Sequence, residues 1–188
     1  MLPPAPQPPR AASVYVEFDS TSGSPLMASE QGHSYCASGR VFTGLLQLRS
    51  AEGTALLTLR VQTGGWMSAE SPFARAGHCP ADPAWGAYTP LSYPDTAFPA
   101  LPGPTLVSTL RTGRLRGFRI PDPPGTGRSS LMIHASARRG SEGCISTPEN
   151  ADWESFCAEM AALQRAAIRQ LPLRVDYTCP PPDPLRHP

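Results

Sequence analysis

Lysine is absent from this 188-residue sequence, in which all 16 basic residues are arginine. A Walker-type phosphate loop and a Schiff-base mechanism both need a lysine side chain, so both are excluded. Charges nearly balance, at a formal net charge of +1, so the composition lacks the excess of positive charge that is typical of proteins that bind nucleic acid or a membrane surface. We expect neither nucleic-acid binding nor membrane insertion.

Long hydrophobic runs are also missing, since no stretch approaches the roughly 18 apolar residues that a membrane-spanning helix needs. Residues 1–12 are rich in proline and lack the apolar core of a secretory signal. Three alternatives follow: the chain stays in the cytosol, it is exported without a cleavable signal, or a signal has been removed from it.

Proline and glycine are abundant, with 24 and 16 copies. This excludes an all-helical bundle and favours short strands joined by many turns. We predict a disordered proline-rich arm over residues 1–12, one domain over 13–179 and a disordered proline-rich tail over 180–188.

The strand signals are concentrated in a mainly β domain. Val14–Phe18 alternates between apolar and polar residues, and Arg40–Arg49 and Thr54–Gln62 flank a glycine-containing turn, which predicts a β-hairpin. Further strands are predicted at Thr105–Leu110, Leu115–Ile120, Ser129–Ala135 and Leu173–Thr178.

One amphipathic helix is predicted before the last strand. Thr147 followed by Pro148 is a helix start signal, with Asn150 as an alternative cap, and Pro172 would end the helix. Its apolar residues recur every three or four positions and would pack on the sheet: Trp153, Phe156, Met160, Leu163, Ala167 and Leu171.

The stretch from Thr63 to Pro104 is long, irregular and aromatic-rich. Its aromatic side chains either fill a core that lacks regular structure or form a wall over a cleft. A non-catalytic, disulfide-stapled binding module that uses this stretch is one hypothesis for the function of the chain.

The five cysteines are Cys36, Cys79, Cys144, Cys157 and Cys179. An odd number leaves at least one thiol without an intramolecular partner, and the spacings match no zinc pattern. We therefore expect no metal and no cofactor. Cys157 is either a core thiol or a disulfide partner of Cys179.

The segment with the clearest chemistry runs from Arg128 to Thr147. An apolar strand ends at His134, a short polar loop follows, and Cys144 comes shortly before the helix start signal. An imidazole can take the thiol proton, and the resulting imidazolium charge stabilises the thiolate. The amides of a helix N-terminus would also favour a thiolate. Gly143 lets the backbone approach a substrate closely. A chance pairing of histidine and cysteine is the alternative.

Ile133-His134 followed by Ser141-Glu142-Gly143-Cys144-Ile145 resembles the signature of the L,D-transpeptidase (YkuD-type) catalytic domain. The resemblance is strongest to the compact branch found among bacterial type VI secretion effectors. It implies a β-sandwich with one packed amphipathic helix after the catalytic cysteine. It also implies attack on peptidoglycan stem peptides, giving an acyl-enzyme that another stem, a D-amino acid or water resolves.

The resemblance assigns roles to particular residues. Cys144 resembles the nucleophile and His134 the general base, with the carbonyl of Ala135 orienting the imidazole. Gly143 would form the oxyanion hole with the Cys144 amide, and Ser141 would support the site. Three arginines near the site would hold a substrate carboxylate or else be solvated loop residues: Arg128, Arg138 and Arg139.

The resemblance also implies a place of action and a partner. A bacterial enzyme of this kind would act in the periplasm or cell wall after export, and a toxin delivered there would need an immunity protein that plugs the cleft. Acyl transfer or hydrolysis on a different peptide substrate is a further alternative.

Overall fold

The described part of the chain is mainly β with one helix, as predicted. The computed structural model describes residues 11–25, 35–37, 40–68, 99–112, 116–124 and 128–178. Its elements are β1 (Ala11–Pro25), β2 (Tyr35–Ala37), β3 (Arg40–Ser50), β4 (Ala55–Thr63), β5 (Trp66–Ser68), β6 (Gly103–Ser108), β7 (Arg111–Thr112), β8 (Gly117–Arg119), β9 (Met132–Ala135), β10 (Ile145–Thr147), α1 (Asn150–Arg165) and β11 (Gln170–Tyr177).

Nine of the strands form a single mixed sheet in the order β6-β11-β1-β3-β4-β10-β9-β8-β7, and β2 pairs with β5. The β1–β11 and β9–β10 pairs are parallel, whereas the other pairs of the sheet are antiparallel. β6 and β8 lie near opposite ends of this order and contact each other, so the sheet is nearly closed.

The predicted strand Val14–Phe18 and the hairpin of β3 and β4 are both confirmed. Val14, Val16 and Phe18 are fully buried at alternate positions, which places one face of β1 in the core. Gly53 has a φ of +84° in the hairpin turn, where glycine has no steric penalty. β1 extends beyond the prediction because its pairing with β3 continues to Pro25 after an irregularity.

The strands that flank the candidate site are shorter than predicted. β9 begins at Met132 rather than at Ser129, because Ser130 has a φ of +60° and cannot continue an extended strand. β8 covers only Gly117–Arg119 of its predicted range.

The predicted cap of the helix is wrong. Thr147 belongs to β10, where it pairs with Ala135, and the helix begins at Asn150 after the N-cap residue Glu149. The Thr147 hydroxyl is buried and finds no hydrogen-bond partner within the described ranges, so it caps nothing.

The predicted end of the helix is also wrong. α1 ends at Arg165, and Ala167 turns the chain with a φ of +64° before Pro172 is reached. Leu171 is buried, but as a residue of β11.

The buried side of α1 contributes a large part of the core, through Trp153, Phe156, Met160 and Leu163. The Phe156 ring meets that of Phe118 edge-on, with centroids 5.3 Å apart. Cys157, beside this stripe, is a free thiol, whereas Cys179, the disulfide partner considered from the sequence, lies outside the described residues. No helix within the described ranges has the length and apolarity that crossing a bilayer requires.

Several predictions fall on residues that the structure does not describe. They concern residues 1–10 of the arm, residues 179–188, and the aromatic side chains between residues 69 and 98.

Candidate active site

Two parallel strands bring the predicted histidine and cysteine together. β9 and β10 pair with Ile133 opposite Ile145 and His134 opposite Ser146, and both isoleucines are fully buried. Because side chains alternate along extended chain, His134 and Cys144, the residue before β10, lie on the other side of this pair. Both line one cavity of about 360 Å³.

His134 has a fixed ring orientation. Its Nδ1 lies 2.7 Å from the carbonyl oxygen of Ala135, the contact that the family resemblance implied. A carbonyl oxygen can only accept, so Nδ1 carries the hydrogen of the neutral ring and Nε2 keeps its lone pair. Burial lowers the pKa of His134, and the contact with Ala135 opposes that shift. At neutral pH the ring is therefore a neutral base.

Cys144 is a free, half-buried thiol. Its Sγ donates to the carbonyl oxygen of Ser130 at 3.8 Å. Burial raises the pKa of the Cys144 thiol above the ordinary value, and the negative charge of Glu142 adds to this. A hydrogen bond from the Met132 amide and the charge of Arg128 act in the opposite direction but do not cancel it. The resting thiol is therefore protonated.

Cys144 does not belong to the first turn of the helix. Five residues, the three of β10 followed by Pro148 and Glu149, separate it from Asn150, where α1 begins. The amides of a helix N-terminus act mainly over the first turn, and they are not among the influences on the pKa of Cys144 described above. The resting pair is a neutral thiol and a neutral imidazole rather than the ion pair expected from the sequence.

The backbone around Cys144 is held in a defined conformation. Gly143 has a φ of +97°, which a residue with a Cβ rarely adopts. The Ser141 hydroxyl donates to the Cys144 carbonyl, and the Ser141 amide donates to the Gly64 carbonyl at 2.8 Å. These bonds hold the turn that carries the Gly143 and Cys144 amides, while the supporting role of Ser141 in catalysis stays a prediction.

The loop between β9 and β10 is docked on residues that sequence analysis did not select. The Trp66 indole Nε1 donates to the Arg139 carbonyl at 2.6 Å, and the Gln62 amide donates to the Arg138 carbonyl at 2.8 Å. Gln62 lies near the end of β4 and Trp66 begins β5, and each is more than 70 residues from its partner in the loop, so no local pattern could identify them.

The three candidate arginines have different places. Arg128 donates to the Pro99 carbonyl at 2.9 Å, and its charge acts on both Cys144 and Glu142. Arg138 lines the cavity, and its guanidinium lies 4.8 Å from the centroid of the Trp66 ring.

Arg139 is not brought to the site. Its guanidinium donates to the hydroxyl of Ser24 in β1, and it is not among the described residues that line the cavity. Its main-chain carbonyl, which accepts from Trp66, is the part of Arg139 that serves the loop.

Ser130 and Asp122 are the remaining residues that sequence analysis missed. Ser130 lines the cavity in a left-handed conformation, and its amide donates to Asp122 Oδ1 at 3.0 Å. Neither a serine nor an aspartate in a turn-rich segment carries a sequence signal for this arrangement.

The described side chains include no group of three or more His, Cys, Asp or Glu residues arranged to hold a metal ion. A thiol, a neutral imidazole and a polar backbone turn lie around one cavity. In comparisons with known proteins, no family model, no curated protein and no solved structure matches this chain.

Proposed function

We propose that the protein is a cysteine-dependent acyl-transfer enzyme of the L,D-transpeptidase type, acting on peptidoglycan stem peptides. The observation that carries the chemistry is the cavity shared by Cys144 and His134, with Nδ1 of the imidazole bound to Ala135. The substrate class and the finer assignment of the sheet to the sandwich of that family come from the sequence resemblance around Cys144.

In the proposed reaction, Sγ of Cys144 attacks the carbonyl carbon of a peptide bond while the thiol proton passes to Nε2 of His134. The amides of Gly143 and Cys144 hold the resulting oxyanion. The C–N bond then breaks, and the leaving amine takes the proton from the imidazolium. A thioester on Cys144 remains.

The second half reverses these roles. An amine or a water molecule attacks the thioester, and His134 accepts the proton of the attacking group. The carbon–sulfur bond breaks, and the proton returns to Cys144. The outcome is transpeptidation when the acceptor is another stem or a D-amino acid, and carboxypeptidase activity when the acceptor is water.

The neutral resting pair sets the order of the proton transfer. Because burial disfavours the thiolate and the imidazolium in the same cavity, their charges develop together as the sulfur attacks. His134 therefore acts as a general base during attack, and does not generate a stable thiolate beforehand.

In this proposal Arg128 attracts a substrate through its charge, since it is not among the described residues that line the cavity. Its guanidinium is half-buried, and its charge acts on Cys144 and on Glu142. An arginine in partly desolvated surroundings suits a carboxylate, such as that of a stem peptide. Arg138 at the cavity wall would add to this attraction.

Action in the periplasm or cell wall, delivery as an antibacterial effector and an immunity protein that covers the cavity belong to the same proposal. They rest on the sequence resemblance. Co-purification of the protein with the product of a neighbouring gene, lost when the cavity is altered, would support the immunity partner.

The binding module is the second candidate, and the raised pKa of Cys144 favours it, since a protonated thiol is a weak nucleophile. In this alternative the aromatic-rich 63–104 stretch binds a partner and the cavity is idle. The Cys144 and Cys157 thiols are both free, so neither contributes to a staple.

Incubation with purified muropeptides separates the two candidates. We expect the wild-type protein to release or exchange the terminal residue of the stem, as detected by mass spectrometry. Cys144→Ala should be inactive and His134→Ala should react slowly, with both variants folded. Cys157→Ala, which removes the other described free thiol, should retain activity. Processing by Cys144→Ala at the wild-type rate would refute the mechanism.

A further inference from the structure

Ser130 is held in an unusual backbone conformation beside the nucleophile of the proposed function. Its φ of +60° is rare for a residue with a side chain and persists only where the surroundings impose it. Asp122 supplies that restraint, because its Oδ1 accepts the Ser130 amide at 3.0 Å. Its Oδ2 lies 3.2 Å from Arg119 Nη2, so both carboxylate oxygens have partners.

The segment from Ser130 to Met132 presents a hydrogen-bond acceptor and a hydrogen-bond donor of the backbone to the Cys144 sulfur. The Ser130 carbonyl accepts from Sγ at 3.8 Å, and the Met132 amide donates to the same sulfur. A carbonyl oxygen can bind only the protonated thiol, whereas an amide hydrogen stabilises the thiolate. The position of Ser130 therefore distinguishes the two protonation states of the nucleophile.

We propose that Asp122 and Ser130 are positioning residues, in which the Asp122 carboxylate fixes the Ser130 carbonyl against Cys144 and keeps the thiol protonated and oriented until substrate binds. The inference rests on the proposed function in one respect, namely that Cys144 is the nucleophile. Among the described residues, His134, Arg138 and Glu142 are the charged or titratable groups that line the cavity with Cys144, and Glu142 and Arg128 act on the thiol through their charges.

The consequence is a measurable shift in the titration of Cys144. Release of the Ser130 carbonyl removes an acceptor from the protonated form only, so the thiol pKa should fall. Because an S–H···O contact is weak, we expect a fall of roughly half a pKa unit, or about threefold in the thiolate fraction.

The test measures iodoacetamide alkylation of the Cys144 peptide against pH, by mass spectrometry and without substrate. Asp122→Ala removes the acceptor of the Ser130 amide, whereas Asp122→Asn keeps an acceptor oxygen and removes the charge. Arg119→Ala breaks only the ion pair. Asp122 is exposed, so these variants should keep the fold, which a thermal melt checks.

We expect a lowered pKa in Asp122→Ala and near-wild-type titration in Asp122→Asn and Arg119→Ala. An unchanged thiol pKa in Asp122→Ala would overturn the proposal, because Asp122 would then have no influence on Cys144. An equal fall of the thiol pKa in Asp122→Asn would also overturn it, because the loss of charge alone would then explain the effect. Failure of the proposed function is distinguishable, because it would leave muropeptides unprocessed whatever the alkylation profile.

Discussion

Nδ1 of His134 lies 2.7 Å from the carbonyl oxygen of Ala135, the next residue in the chain. This contact fixes the hydrogen on Nδ1 and leaves Nε2 as the basic nitrogen of a ring that lines the same cavity as Cys144. In the proposed mechanism, Ala135 is the third group that orients the general base for the nucleophile.

The tautomer of His134 is directly observable. In a protein labelled with ¹⁵N-histidine, we expect the His134 signals at pH 7.5 to show a protonated Nδ1 and an unprotonated Nε2. His134→Ala identifies the signals by their loss. A protonated Nε2 at this pH would contradict the proposed role of the Ala135 carbonyl.

Two glycines with similar backbone angles provide a matched test of how the site loop is docked. Gly140 and Gly53 have φ values of +77° and +84°, but a Cβ on Gly140 would lie 2.5 Å from the Gly64 carbonyl, whereas a Cβ on Gly53 would meet nothing within 4 Å.

Gly53→Ala should therefore cost about 1 kcal/mol of unfolding free energy from backbone strain alone. Gly140→Ala should cost roughly 1–3 kcal/mol more, from the steric overlap, and displace the loop. Urea denaturation measures both. Equal losses would mean that the loop is not packed against Gly64.

A substitution at Thr147 tests whether this residue belongs to strand β10, as in the structure, or caps the helix, as the sequence predicted. Its hydroxyl is buried and has no hydrogen-bond partner among the described residues. Thr147→Val removes that hydroxyl and suits a strand, so we expect unchanged stability or a gain of about 1 kcal/mol. If Thr147 were the helix cap, the same change would cost about 1 kcal/mol, and a loss of that size in urea denaturation would contradict its place in β10.

The pH dependence of stability reports on the two buried site groups. The pKa of His134 is lowered from 6.5, so the unfolded chain binds its proton more readily and stability falls as the pH drops below about 6.5. The pKa of Cys144 is raised from 9.0, so folding disfavours the thiolate and stability falls as the pH rises above about 9.

Thermal melts between pH 5 and pH 9.5 measure both effects. Cys144→Ala should flatten the alkaline side, and His134→Ala the acidic side. Unchanged slopes in both variants would mean that neither group is buried as described.

The local part of the fold was predictable from the sequence, and the long-range part was not. The alternation in Val14–Phe18 and the glycine turn at Gly53 each act over a few residues, and both predictions are confirmed. β10 is only three residues long, too short for an alternation of apolar and polar residues to be detected, so its parallel pairing with β9 could not be predicted from the sequence. Because Thr147 pairs with Ala135 in this strand pair, it belongs to β10 and does not cap the helix.

In the candidate site, too, the features that depend on nearby residues were predictable and those that depend on long-range contacts were not. His134 at a strand end and Cys144 beyond a short loop could be paired from sequence order, because a loop of that length returns to the same sheet edge. The docking donors Gln62 and Trp66 and the restraint of Ser130 by Asp122 depend on tertiary contacts. The burial that raises the pKa of Cys144 likewise arises only after folding.

The most direct test of the account is the intact mass of the protein during reaction with a muropeptide donor, followed by peptide mapping. The proposed mechanism predicts a transient mass increase equal to the acyl part of the donor, located on Cys144, absent in Cys144→Ala and slow to form in His134→Ala. Turnover of the donor with no adduct on Cys144, or with the adduct on another residue, would contradict it.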